Sequence, residues 1–381
     1  MGGLIDLSGD FAYTLAAFLV VLTVLVFVHE LGHYLAARRC DIRVEVFSIG
    51  FGPEIWGFDD RHGTRWRLSW IPIGGYVKFF GDADAASMPG ETGALNEAER
   101  AVAFPCKTVG QRAFVVVAGP LANLVFAAVV YAGLALSLGV AFTPPVVGEV
   151  QPDSAAAAAG LRSGDRVLSA GGSSIERFQD LQRVVRLRPG ETLAFEIERE
   201  GTRRSLTATI GRRTLVDRWG NKSDIGLLGI SQAGVEIRRL GPVAALWHGA
   251  METWHTGGAI MTAIGQMFAG TRPLDELGGP LRIAHISGEM AKSGFAALVA
   301  FVGYMSVSLG LINLFPVPLL DGGHLAAYAI EAVRGRALSL RAQEIAARIG
   351  LGLVLALFVL GTWNDRYVLR LIADALGSLF S

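Results

Sequence analysis

From Phe11 to Ala37 the chain reads FAYTLAAFLVVLTVLVFVHELGHYLAA, and this stretch restricts the possible folds more than any other. Phe11 to Val28 holds no charge, no Pro and no Gly, which at 1.5 Å per residue is a helix long enough to cross most of a bilayer's hydrocarbon core. Three ionisable groups follow within five residues: His29, Glu30 and His33. On a helix His29 and His33 lie one turn apart, so both imidazoles leave the same face and suit a single ion. Glu30 lies about 100° round the helix, where its carboxylate addresses water at that ion without having to be a ligand. In a soluble helix the same H-E-x-x-H reads as a solvated charged face. Inside an apolar span ionisable groups are costly unless paired, hydrated or metal-bound, so the pattern reads as a zinc site. A signal peptide would need a basic leader, and Met1 to Asp10 contains no Lys or Arg.

Composition points to a membrane protein. Hydrophobic residues make up 51% and charged residues 18%, below the quarter usual in soluble domains. Lys+Arg and Asp+Glu balance at 34 each, so no basic field calls for nucleic acid as a partner. Cys40 and Cys106 form neither a C-x-x-C pair nor a disulfide framework.

Charge placement predicts the topology. The segment after the first span carries Arg38, Arg39, Arg43, Arg61, Arg65 and Arg67 among other cations, so it reads as cytoplasmic, with the N-terminus outside. Within it, about residues 42–80, RVEVFSI from Arg43 and RWRLSWIPIGGYVKFF from Arg65 have strand character, predicting a membrane-associated β-hairpin or sheet. Pro72 with Gly74 and Gly75 argues against a central strand. A plain hairpin and an edge strand that receives substrate both fit. A second span runs from about Ala113 to Val140, with Pro120 inside it. There Asn123 is a polar group at membrane depth, suited either to an interhelical hydrogen bond or to a substrate contact.

From about residue 141 to 215 the chain turns soluble in character, with strand-like runs at Val146 to Val150, Arg166 to Ser169, Thr192 to Glu198 and Ser205 to Ile210. A helix-like run covers Arg177 to Val185. The stretch Ala159-Gly160-Leu161-Arg162-Ser163-Gly164-Asp165-Arg166-Val167 resembles the A-G-L-x-x-G-D-x-I signature of bacterial PDZ domains. That resemblance implies an α+β domain binding a peptide or C-terminus at a sheet edge, with Val147 and Gly148 on the binding strand. The groove either binds such a ligand or only obstructs and positions. Residues 216–295 form a post-PDZ region in which Gly241 to Ala269, apolar but carrying His248, Glu252 and His255, reads as an amphipathic helix in the outer interface.

The next span, Ala296 to Phe315, runs into Asn313-Leu314-Phe315-Pro316-Val317-Pro318-Leu319-Leu320-Asp321-Gly322-Gly323-His324. Two prolines end the helix and two glycines permit a sharp turn, so this is irregular backbone of the kind tolerated beside a wet cavity. A catalytic zinc takes three protein ligands and keeps one position open. Asp321 is the natural third ligand, with His324 its rival. Basic residues from Arg334 to Arg348 return the chain to the cytoplasm, and a short span, about Ile349 to Thr362, crosses out again. The expected fold is thus a polytopic α-helical membrane protein of about four spans. It comprises a first membrane half (1–140), an inserted extracytoplasmic PDZ domain (141–215), the post-PDZ region and a second membrane half (296–381).

H-E-x-x-H in the first span, G-P-x-x-N (Gly119 to Asn123) in the second, N-x-x-P-x-P-x-L-D-G in a later one and an inserted PDZ signature together resemble the site-2 protease family of intramembrane zinc metalloproteases, specifically the bacterial regulator of sigma-E protease group. The resemblance implies zinc on His29, His33 and Asp321, Glu30 as general base, and Asn313 with the Gly74-Gly75 strand against substrate. It implies a bacterial inner-membrane enzyme, its site near the cytoplasmic face, acting on an anti-sigma factor or other single-span protein already trimmed outside. The best-known members carry two tandem PDZ domains, whereas one signature is visible here. Rival classes are a membrane zinc carrier or pseudo-protease, for which Glu30 would be superfluous, and a PDZ scaffold, which would not need two polar sites inside its spans.

Overall fold

The computed structural model describes residues 2–82, 95–216, 222–270 and 278–365. They form two compact units, residues 135–241 and the remainder of the chain on either side.

In the larger unit, α1 (Gly2–Arg39) carries the H-E-x-x-H segment. The chain then enters two long strands, β1 (Val44–Asp59) and β2 (Arg65–Phe79). Both bend, because Gly50 and Gly52 take φ of +85° and +88° and Gly74 takes +91°, values that glycine adopts without a Cβ penalty. As a result Val44 to Ile49 pairs on one side with Gly75 to Phe79 and on the other with Arg65 to Leu68. Among the described residues, 75–79 therefore lie at an edge. The sheet packs on α1 through buried Ile42, Val44, Phe47, Val77 and Phe79. Asp60, in the turn, ties it down by accepting hydrogen bonds from Tyr34 Oη on α1 (2.7 Å) and from Trp66 Nε1 (3.0 Å). Its far part exposes Ile55, Trp56, Phe58, Trp70 and Ile71, an apolar surface of the kind that lies against lipid.

A short α2 (Glu97–Val102), capped by Asn96, leads into α3 (Val109–Leu138). After the smaller unit come α6 (Pro242–Phe268), α7 (Pro280–Lys292), α8 (Phe295–Asn313), α9 (Asp321–Arg334) and α10 (Leu340–Asn364). Among the described residues four stretches are long and apolar enough to cross a membrane: Asp10–Arg39, Val109–Leu138, Phe295–Asn313 and Arg341–Trp363. The last begins well before Ile349, so it is longer than its uncharged core suggests. Without a hydrophobic drive inside lipid, helices associate where small residues let backbones approach. Gly32 on α1 abuts Ala118 and Ala122 of α3, while Gly303 and Gly310 on α8 abut Tyr131 and the carbonyl of Pro120. The helix α6 packs on its neighbours through glycine as well. Its Gly249 packs on Ala128 and Ala132 of α3 and Gly257 on Val307 and Leu311 of α8. Its exposed residues include Trp247 and Trp254.

The smaller unit is α+β. Its strand β3 (Val140–Phe142) pairs with β12 (Glu236–Arg238), and β4 (Val147–Val150) pairs with β11 (Ile230–Gln232). A four-stranded antiparallel sheet is built from β5 (Arg166–Ala170), β6 (Ser173–Ser174), β7 (Thr192–Arg199) and β8 (Thr202–Thr209) in the order β6-β5-β7-β8. A further hairpin joins β9 (Gly211–Val216) to β10 (Lys222–Leu227). The helices α4 (Ala155–Ala158) and α5 (Phe178–Arg186) complete it around a core centred on Val147, Val167, Phe195, Ile197 and Leu181. The unit continues to Gly241, beyond the expected end at 215, because β11 and β12 pair with strands distant in sequence, which local periodicity does not reveal.

Candidate metal centre and active site

The larger unit brings together His29, His33 and Asp321, whose ligand atoms all lie within 4.8 Å of one another. His29 Nε2 is 3.2 Å from His33 Nε2 and 3.1 Å from Asp321 Oδ2, and His33 Nε2 is 3.5 Å from Asp321 Oδ1. The two imidazoles come from consecutive turns of α1. The carboxylate opens α9, and the turn before it is dictated by glycine: a Cβ at Gly322 would collide with the carbonyls of Leu314 and Phe315, and one at Gly323 with that of Val317. Leu319 is held at φ +77°, which only a well-determined turn sustains in a non-glycine residue.

The helix α3 orients the pair. His33 Nδ1–H donates to the Val115 carbonyl at 2.9 Å, so the Nε2 lone pair of His33 is directed at Asp321. His29 Nδ1 faces the Asn123 amide, Nδ2 at 3.4 Å. Gly119 between them is obligatory, since a Cβ there would fall on the His33 ring.

This donor set fits zinc. Two imidazole nitrogens and one carboxylate are one of the ligand sets that catalytic zinc takes. Although Asp321 Oδ2 is 3.1 Å from His29 Nε2, the angle makes no hydrogen bond, leaving this buried carboxylate oxygen unsatisfied among the described residues. Such an orphan is costly unless a cation takes it. Among the described residues, His324 lies outside the converging set, although it lines the same cavity.

That cavity, about 290 Å³, is also lined by Glu30, Gly74, Gly75 and Asn313. Glu30 lies beside the main chain of Val77, which brings its carboxylate next to the edge strand. The Cβ of a residue at Gly75 would meet Val26 and lie 3.5 Å from Glu30 Cγ, so the strand's approach to α1 requires glycine. Asn313 Nδ2 is 3.5 Å from His29 Nε2.

Of the two roles open to Asn123 the structure supplies an interhelical partner, and Val147 and Gly148 are already paired. Asn123 is fully buried and addresses His29 instead of the cavity, because α3, α1 and α8 close around it. Val147 and Gly148 do not offer a free edge. Val147 exchanges hydrogen bonds with Gly164 and Asp165 on one side, while Gly148 abuts the Gln232 carbonyl of β11 on the other. An open groove of this unit, about 540 Å³, lies instead between α5 and residues 225–230, with Arg183 and Arg186 in its lining. Gly229 at φ +79° is the one local signal of that loop. Val115 could not have been found by residue type, since its carbonyl does the work.

Residues 17–357 match peptidase family M50. The chain is 44% identical to a protein of Agrobacterium fabrum provisionally named zinc metalloprotease Atu1380, over 96% of this chain and 98% of that one. It is 39% identical to the metalloprotease MmpA of Caulobacter vibrioides over 93% and 96%. A solved PDZ domain of an SdrC-like protein from Listeria monocytogenes aligns with 24% of this chain and 88% of its own length, at 17% identity and a TM-score of 0.19. The chain therefore belongs to peptidase family M50, the site-2 proteases, and is a zinc metalloprotease.

Proposed function

We propose that His29, His33 and Asp321 hold the zinc, that Glu30 is the general base, and that the enzyme cuts a peptide bond within or near the transmembrane segment of a single-span protein. The observation that carries this is the convergence of three donor atoms within 4.8 Å on a cavity that Glu30 also lines. The metal supplies Lewis acidity toward water and the scissile carbonyl. Glu30 accepts the proton of the attacking water and returns it to the leaving amine. The edge strand 75–79 offers main-chain hydrogen bonds to a substrate strand, and Asn313 a side-chain partner, compensating groups freed when a substrate helix unwinds.

By the positive-inside rule the N-terminus and the 135–241 unit lie outside the bacterial inner membrane and the site lies near the cytoplasm. An anti-sigma factor trimmed on its outer side fits such a site. The groove beside α5 takes an extended peptide or C-terminus.

The test compares wild type with Glu30→Gln in detergent, measuring cleavage of a single-span reporter and bound zinc. Retained zinc with lost cleavage is the expected result. Cleavage by Glu30→Gln at the wild-type rate would remove Glu30 from the mechanism.

A further inference from the structure

Asn123 sits where α1, α3 and α8 meet, buried to 0% exposure, outside the lining of the active-site cavity. Its main-chain carbonyl accepts from Ser306 Oγ on α8 at 2.8 Å. Its side-chain Nδ2 stands 3.4 Å from His29 Nδ1, and its Oδ1 has no hydrogen-bond partner among the described residues. A buried amide with one orphaned end in an apolar setting is retained for what its other end does.

The two imidazoles explain what that is. Both direct Nε2 toward Asp321. A ligating histidine must present a lone pair at that nitrogen and so carries its proton on the other, which needs an acceptor. For His33 the acceptor is the Val115 carbonyl. For His29 the group that faces Nδ1 is the Asn123 amide. With Nδ2 forward, the amide donates to Nδ1 and favours the tautomer that keeps its proton on Nε2, which then has no lone pair for a metal. A half-turn of the amide fills the same space and brings Oδ1 to Nδ1, accepting its proton and freeing the Nε2 lone pair. An amide is the one side chain of this size that serves both tautomers.

We propose that Asn123 is a positioning residue: by accepting the Nδ1 proton of His29 it fixes the imidazole in the metal-binding tautomer and raises zinc affinity, without touching substrate. This rests on His29 being a ligand.

The test is zinc affinity by chelator competition in Asn123→Leu, Asn123→Ala and Asn123→Asp, with His29→Ala alongside and Ser306→Ala as a control at the same helix junction. Loss of an outer partner of a ligating histidine typically costs 10–100-fold in metal affinity. Leu and Ala should weaken zinc by about that factor and alter the visible spectrum of the Co²⁺-loaded protein. Asp, which keeps the acceptor, should hold affinity near wild type, and Ser306→Ala should leave it unchanged. At saturating zinc, KM of the Leu and Ala variants should match wild type. Affinity within about threefold of wild type in both Leu and Ala overturns the proposal, as does an Asp variant as weak as they are. If Leu does not insert and fold, Ala against Asp decides. Should His29→Ala itself bind zinc like wild type, the ligand assignment has failed and this role fails with it; if His29→Ala loses zinc while Leu and Ala keep it, only the role of Asn123 falls. A raised KM with unchanged zinc affinity would make Asn123 a substrate contact instead.

Discussion

His33 donates its Nδ1 proton to the main-chain carbonyl of Val115 at 2.9 Å. That bond selects one tautomer of the imidazole and leaves the opposite nitrogen free toward Asp321. It makes α3 a working part of the candidate metal centre, although α3 contributes none of the three converging donors. Substitution at residue 115 cannot remove a carbonyl, so its effect is tested through the neighbours that hold the ring in place.

Gly119→Ala is the sharpest of these. A methyl group at that position would occupy the space of the His33 ring. Zinc content is expected to fall from about one per chain to a small fraction of that, read by atomic absorption on detergent-purified protein. A variant with full zinc and wild-type cleavage would refute this packing of α3 against His33.

Zinc removal should destabilise the protein. Whatever binds only the folded state adds about 2.7 kcal/mol at a hundredfold excess over Kd. A chelator should therefore lower the thermal midpoint of the wild type. Asp321→Ala, lacking the carboxylate, should start lower and respond little. Equal responses of the two proteins would place the metal elsewhere.

Cleavage should depend on how readily the substrate helix opens. A transmembrane helix keeps its carbonyls in internal hydrogen bonds, and a protease that binds a strand must first release them. Gly or Pro placed in the reporter's span should speed cleavage and added Leu should slow it, measured as initial rates. The opposite ranking would count against strand capture at residues 75–79.

The groove beside α5 carries Arg183 and Arg186, exposed and without an ion-pair partner among the described residues. Charge reversal of both should weaken a peptide with acidic residues near its C-terminus by about tenfold while sparing a neutral one, by fluorescence polarisation on the full chain; rim charges of this kind act mainly through the encounter rate. Equal losses for both peptides would point to damage of the groove rather than to charge.

Asp165 sets an acid limit on the same unit. Burial alone would raise its pKa, but Arg199 Nε donates to it at 2.7 Å and the Arg162 amide donates at 2.8 Å, and these outweigh burial to hold the carboxyl below its ordinary value. A depressed carboxylate stabilises fully above its unfolded pKa of about 3.9 and loses that contribution as pH falls toward the folded value. Hydrogen exchange at residues 166–170 and 195–198 should therefore stay slow from pH 7 to about 5, after allowance for intrinsic rates, and lose protection below about 4. In Asp165→Asn protection should be lower at pH 7 and less dependent on acid. A pH profile identical to wild type would exclude this pair as the source.

Several of these residues are legible in the sequence alone. His29, Glu30 and His33 are a local pattern, three groups on one or two turns of an otherwise apolar helix, and local spacing survives folding unchanged. Asp321 is legible because Pro316, Pro318, Gly322 and Gly323 forbid regular helix around it. The strand runs and α5 follow from alternation and from the apolar spacing of Phe178, Leu181 and Val185. Val147 and Gly148 mislead because an edge is free only if nothing pairs with it, and the partner, β11, comes from far along the chain. Asn123 announces itself as a polar group in a span, yet nothing near it in sequence says which side chain it faces.

What the sequence determined by itself, then, is the chemistry available and the elements that carry it: candidate donors, a candidate base, spans and strands, all set by short-range periodicity, charge and the backbone limits of Pro and Gly. Tertiary structure alone decided which donors meet, which sheet edge stays open and which groups stand behind the histidines. Those outcomes depend on backbone carbonyls, on glycines that admit a neighbouring helix and on pairings between distant strands. Each is a property of two segments at once, and no single segment encodes it.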